Sequence, residues 1–278
     1  MVLSQSNEQD FCIVIPTKAS PREEFAAEEL HKYIRKLCGA DLIILCDCDE
    51  SQFRKNKLLI GSPGRNRISA QLIDSDEFGR ICPGPEGIFL KSFDSETVLI
   101  AGSEGDLERG TVYAVYELLE RYLGASLAAF SHPDTEAGEL VPQCDCLDLS
   151  DIDYIKPACS LPYRTAIVQY ADAAGDCNRG LNLPFLDWLC KNRYNRILTW
   201  ARCYEDLKRL GILTEAERRG IRFTVGHHDS SKLFLPPHGN EYFPEHYYET
   251  HPDYYKLLDD GTRYAVSYTH LDVYKRQV

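Results

Sequence analysis

The residues best equipped for chemistry gather in the last third of this chain. Gly226-His227-His228-Asp229-Ser230-Ser231-Lys232 follows the apolar run Ile221 to Val225 and combines two imidazoles, two hydroxyls, a carboxylate and an ammonium. Such a concentration of polar groups suits the hydroxyls of a sugar or the carboxylate of a ligand. His227 and His228 are binding candidates, with Lys232 as the cation beside them; the alternative is that one or both imidazoles bond the backbone of their own loop. Trp200 and Arg202 close the preceding apolar run. An indole face can stack on a pyranose ring and a guanidinium can pair a carboxylate, while Trp200 serves equally well as plain core. Arg164 and Gln169 bracket a third run, which makes Arg164 the remaining binding candidate.

The stretch from Phe234 to Tyr255 is crowded with rings, among them His238, Tyr242, Phe243, His246, Tyr248, His251 and Tyr254. It reads either as one wall of a sugar cleft or as a loop that packs its rings on one another. The histidines show no H-x-H or H-E-x-x-H spacing. Cys46-x-Cys48 and Cys144-x-Cys146 leave one residue between thiols where structural zinc favours two or more. No metal and no cofactor is therefore expected. Gly102-Ser103-Glu104-Gly105 resembles a phosphate nest, but Glu104, Asp106 and Glu108 surround it with negative charge and no P-loop lysine follows, so it reads as a turn.

These candidates need elements to hold them. Phe11 to Ile15 is a continuous apolar run of the kind buried in a sheet with helices against it. A helix follows: Ser20 is the N-cap, Pro21 takes the first helical position, Glu23 completes a capping box and Gly39 supplies the left-handed stop. Asp41 to Cys46 and Leu58 to Ile60 read as strands, and Gly87 to Phe93 pairs with Thr97 to Ala101 as a hairpin through Asp94-Ser95-Glu96. A helix over Leu107 to Leu123 buries Val112, Tyr116 and Leu119 and turns Glu117, Glu120 and Arg121 to water. Residues 1–130 thus form a small α/β domain. Between Ser131 and Pro162 the composition shifts to Pro, Asp, Glu and Cys without periodicity, which marks residues 131–162 as a linker.

A new rhythm runs through residues 163–265: strand Arg164 to Gln169, helix Leu183 to Arg193, strand Arg196 to Trp200, helical residues Tyr204 to Arg219, strand Ile221 to Val225. Parallel strands with crossover helices follow from that alternation. The strand starts lie 32 and 25 residues apart, close to the roughly 31 per unit of a (β/α)₈ barrel. About three of eight such units fit, so the expected fold class is α/β, a small α/β domain followed by an incomplete TIM-type barrel. Sites in such barrels lie at the carboxyl ends of the strands, where Trp200, Arg202, His227, His228 and Lys232 fall.

The chain of 278 residues is 44% hydrophobic, enough for a sizeable core, and its net charge of -12 disfavours nucleic acid or anionic lipid as partner. No apolar run approaches the roughly 18 residues of a membrane span, and Met1 to Asp10 is polar, so a cytoplasmic chain with no membrane association is expected. Eleven scattered cysteines, with Cys12, Cys38 and Cys190 in apolar stretches, read as free thiols in a reducing compartment. The final run Val266 to Val278 breaks the preceding pattern and resembles a translated assembly scar from environmental sequencing; on that expectation Ala265 is the last authentic residue.

Two stretches carry a family resemblance. Arg109-Gly110-Thr111-Val112-Tyr113 through Leu123-Gly124, with Ala26-Ala27-Glu28-Glu29-Leu30 and Leu59-Ile60-Gly61, resembles the small α/β domain that precedes the barrel in α-glucuronidases and β-hexosaminidases. Trp188 to Asn195, Gly226-His227-His228, Tyr242-Phe243 and His251-Pro252-Asp253-Tyr254-Tyr255 through Arg263 occur in the order found in a family of bacterial α-glucuronidase-like proteins. The resemblance implies a glycoside hydrolase acting on poly- or oligosaccharides. It also implies that the catalytic carboxylates belong to later barrel strands, so no catalytic residue is assigned within this chain and the chain alone is expected to be inactive. The segment Ala125 to Phe130 departs from the aromatic-rich continuation usual after Leu123-Gly124. Two other functions remain open: a carbohydrate-binding or scaffold protein without catalysis, and a metal-dependent hydrolase using the histidines.

Overall fold

The computed structural model describes residues 1–82, 84, 86–103, 109–127, 139–168, 183–200, 204–226, 247–255 and 257–263. Strand β1 (Val2–Ser4) leads through a 3-10 turn into β2 (Phe11–Ile15), whose first four residues are buried. Helix α1 (Pro21–Cys38) starts where its capping signals place it: the Glu23 amide donates to Ser20 Oγ at 3.2 Å and the Ser20 amide to Glu23 Oε2 at 2.7 Å. It stops at Gly39, whose φ of 76° lies in the left-handed region and whose amide donates to the Arg35 carbonyl.

Strands β3 (Ile43–Cys46) and β4 (Asn56–Ile60) pair in parallel on either side of β2. Two short helices, α2 (Ser69–Leu72) and α3 (Ser75–Ile81), come next; α3 is opened by the Asp74 carboxylate, which accepts from the Asp76 and Glu77 amides. Strands β5 (Ile88–Ser92) and β6 (Thr97–Gly102) form the expected antiparallel hairpin, and β6 pairs in parallel with β4. Helix α4 (Arg109–Arg121) then crosses the sheet with Val112, Tyr116 and Leu119 fully buried.

The polar stretch before Pro162 is more than a connection. Strand β7 (Cys146–Asp148) pairs antiparallel with β1, and β8 (Asp153–Lys156) adds antiparallel to β5. The result is a six-stranded sheet in the order β3-β2-β4-β6-β5-β8. One face packs Cys12, Val14, Leu59 and Phe89 on Ile73, Phe78 and Cys82 from α2, α3 and their flanks. The other face packs Ile13, Leu58 and Ile100 on α1 and α4.

The second unit consists of β9 (Thr165–Ile167), α5 (Leu183–Lys191), β10 (Arg196–Trp200), α6 (Tyr204–Arg209), α7 (Ile212–Arg218) and β11 (Arg222–Gly226). The single helix expected over Tyr204 to Arg219 breaks at Gly211, whose φ of 75° is left-handed. The three strands form a parallel sheet in the order β11-β10-β9. The architecture is therefore mixed α/β. Leu186, Leu189, Cys190, Ile212 and Ala216 join the same core cluster as α1 and α4, so these two helices are covered by the first sheet on one side and by the second unit on the other.

That placement corrects the reading of Glu117. It does not face water: it is 9% exposed and accepts from Arg121 Nε at 2.5 Å and from Arg193 Nη2 at 3.3 Å. Burial favours its neutral acid, yet the Arg121 bond and the Arg193 charge hold its pKa below the usual carboxylate range. Among the described residues, no helix is long and apolar enough to cross a membrane.

Candidate functional site

Side chains alternate along a strand, and residues paired across the parallel ladder share a face. Ala166, Ile197 and Phe223 are register partners on the face packed against the core. Ile167, Leu198 and Thr224 are partners on the opposite face, where Ile167 is 61% exposed. At the carboxyl ends, Trp200 pairs with Gly226, so β10 and β11 finish level with one another. Arg202, His227, His228 and Lys232 lie outside the described residues, as does the side chain of Trp200.

Arg164 stands elsewhere. It precedes β9, at the amino end of the sheet, and the protein itself takes its guanidinium: Nη2 donates to Glu86 Oε2 at 2.7 Å, Nε to the Arg193 carbonyl at 2.6 Å and Nη1 to the Leu161 carbonyl at 2.6 Å. Arg164 thus stands at the opposite end of the sheet from Trp200, which closes β10. A strand's sequence gives the identity of its flanking residues but not which neighbour will claim them.

Glu86 was not singled out by any sequence motif, yet it is the hub of the junction. Its carboxylate accepts from Arg109 Nη1 at 2.6 Å, from Arg164 Nη2 and from Asn195 Nδ2 at 2.7 Å. Arg109 is 3% exposed and Glu86 is 6% exposed, so the pair is shielded from water. Burial draws the Arg109 pKa below its ordinary value even with Tyr113 and Glu86 acting the other way. No local spacing announces this hub, because its partners are separated by 23, 78 and 109 positions in the chain.

The first sheet offers its own switch in strand order between β2 and β4, the usual place for a ligand in an open α/β sheet. That crevice is filled by the protein. Glu23 takes two bonds from Arg65, from Nη2 at 2.8 Å and from Nε at 3.2 Å. Beside it, buried Asp47 accepts from the Thr17 amide at 2.8 Å, the Thr17 hydroxyl at 2.5 Å and the Arg67 amide at 2.8 Å. Burial favours the neutral Asp47 acid, but these donors hold its pKa below the usual value. Gly102 and Ser103 are equally engaged: the Gly102 amide donates to Thr111 Oγ1 and the Gly87 amide to Ser103 Oγ, both at 3.0 Å.

In the aromatic stretch, Tyr248 meets Tyr255 edge-on at 5.1 Å and His251 stacks on Tyr254 at 4.9 Å, so its described part packs ring on ring. His227, His228, His238 and His246 lie outside the described residues. Among the described residues, no group of three or more His, Cys, Asp or Glu is arranged to hold a metal ion. Cys12 and Cys190 are fully buried and Cys38 nearly so; burial pushes the Cys190 thiol up to about 12. All nine described cysteines are free thiols.

No family model and no curated protein matches the chain in sequence. Among solved structures, its fold is similar to that of a protein described as a novel family GH115 4-O-methyl-α-glucuronidase with specificity for decorated arabinogalactans. The TM-score is 0.62 at 15% identity, over 91% of this chain. The chain spans 33% of that protein's length. At that identity the likeness establishes the fold.

Proposed function

We propose that this chain is part of an α-glucuronidase-like glycoside hydrolase that acts on uronic-acid-bearing poly- or oligosaccharides. The observation that carries the reading is the fold likeness to a 4-O-methyl-α-glucuronidase over 91% of the chain, a span that takes in both the six-stranded and the three-stranded sheet. On this reading residues 163–265 open a glycosidase-type barrel. The order β9-β10-β11, with helices between consecutive strands, supports it, and so does the exposed face carrying Ile167, which in a closed barrel would point to the axis.

The sugar site would then lie at the carboxyl ends of β10 and β11. Trp200 would stack on a pyranose ring, Arg202 would pair a carboxylate, and His227, His228 and Lys232 would hydrogen-bond ring hydroxyls. Paired catalytic carboxylates, which glycoside hydrolysis needs, would come from strands beyond those described. No cofactor takes part in this scheme.

Ligand-detected NMR with a glucuronate-bearing oligosaccharide tests it. Saturation transfer from the chain to the sugar is the expected result, lost in the double variant His227→Ala, His228→Ala. Equal transfer from the variant, with an unchanged melting curve, would remove the histidines from the site.

A further inference from the structure

We propose that the cleft between α1 and α5 is a second sugar-binding site, one that takes the carboxylate of a uronate residue. The proposal rests on the reading of the chain as part of a uronate-directed glycosidase, but it concerns a different surface. The cleft has a volume of about 270 Å³ and is lined by Lys32 and Lys36 of α1 and by Leu183, Pro184, Trp188 and Lys191 of α5, with two carboxylates, Glu139 between the helices and Asp187, which accepts from Arg219 Nε at 2.7 Å.

Three ammonium groups converge there in a protein whose net charge is -12. Lys32 and Lys36 each stand 5.0 Å from the centre of the Tyr33 ring, and Lys191 stands 5.4 Å from it. The site already accommodates a carboxylate. Glu139 accepts from the Tyr33 hydroxyl at 2.5 Å and from Lys191 Nζ, and its pKa stays below the usual value although burial favours the acid. Lys191 is thereby consumed within the protein. Lys36 is not: its ammonium lies 3.9 Å from Glu139 and its side chain is 48% exposed, leaving donors for an incoming anion. Lys32, 40% exposed, lines the cleft and pairs with Glu29 at 2.7 Å.

The apolar half of the cleft explains why the anion should be a sugar acid instead of a bare ion. Leu183 and Pro184 are exposed, and Trp188 is fixed between Phe185 at 5.8 Å and Tyr194 at 5.9 Å. A fixed aromatic edge beside two aliphatic side chains matches the C–H surface of a pyranose, while the ammonium groups meet the carboxylate on the same ring. A second depression of about 320 Å³ shares Lys36 with the cleft and is lined by Arg35, Gln143 and Asp145.

The chain has two tryptophans, so Trp200→Phe leaves Trp188 as the sole indole reporter. Titrating that variant with methyl glucuronide should change Trp188 fluorescence along a saturating curve. Adding Lys36→Gln, whose ammonium is half exposed and 3.9 Å from Glu139, should weaken binding about fivefold without shifting the melting curve. Methyl glucoside, which lacks the carboxylate, should bind about tenfold more weakly. Absence of any Trp188 response, an equal response to methyl glucoside, or an unchanged affinity in the lysine variant would overturn the proposal. Competition by sulfate as effective as that by glucuronide would also overturn it, leaving a simple anion site. The variant His227→Ala, His228→Ala should keep the Trp188 response, which separates failure here from failure at the strand ends.

Discussion

Glu86 and Arg164, 78 positions apart, meet at 2.7 Å where the amino end of β9 reaches the first sheet. Arg109 closes the same carboxylate from the α4 side at 2.6 Å. The two units therefore share a buried charge cluster as well as a hydrophobic core, and the second sheet is oriented by a residue of the first.

Removing that carboxylate should be costly. Glu86→Ala leaves Arg109 buried without its anion, and loss of one partner of a buried pair typically costs about 3–5 kcal/mol. Urea unfolding of the two proteins checks this. A loss below about 1 kcal/mol would show that water reaches the cluster and screens it.

Helix α4 lies so close to β6 that only glycine fits at the contact. A Cβ on Gly102 would stand 2.1 Å from the Gly110 carbonyl carbon, and one on Gly110 would stand 2.2 Å from the Gly87 oxygen. Gly102→Ala should therefore destabilise by about 1–3 kcal/mol or more through overpacking. Gly79→Ala, in α3 with nothing within 4 Å of the new methyl, should be neutral or stabilising by about 0.5–1 kcal/mol. Thermal melts of the pair should move in opposite directions, and a shared direction would contradict the close-contact argument.

Acid should loosen the fold. Burial would raise the pKa values of Asp47, Glu117 and Glu139, but the donors facing them win and hold all three below their ordinary values. A carboxylate with a depressed folded pKa contributes stability that is present above its unfolded value, about 3.9 for Asp and 4.3 for Glu, and lost as pH falls through the folded value. The urea midpoint should thus fall below about pH 5 and continue falling towards about pH 2, with Glu139→Gln showing a shallower decline. A midpoint that stays level down to about pH 3 would remove these groups from the account.

Much of this fold was legible because its signals are local. Ser20, Pro21, Glu23 and Gly39 spell out both ends of α1 within one segment, and the hairpin β5-β6 announces itself through Asp94-Ser95-Glu96. Strand β7 was hidden because three residues with only Leu147 buried give no alternation to read. Helix α4 was placed, but Glu117 was turned to the wrong side, since nothing near it in sequence tells that Arg193 will cover it. The Arg164 bond to Glu86 is equally silent in the sequence, since the two residues belong to different units. At the strand ends the residue types Trp200, Arg202, His227, His228 and Lys232 are plain in the sequence, and the level ends of β10 and β11 are what the structure adds.

The central claim is tested most directly by incubating the purified chain with a glucuronate-bearing oligosaccharide, following binding by calorimetry and free uronic acid by chromatography. The account predicts that the sugar binds and that no uronic acid is released. Turnover by this chain alone, or the absence of any binding, would contradict it.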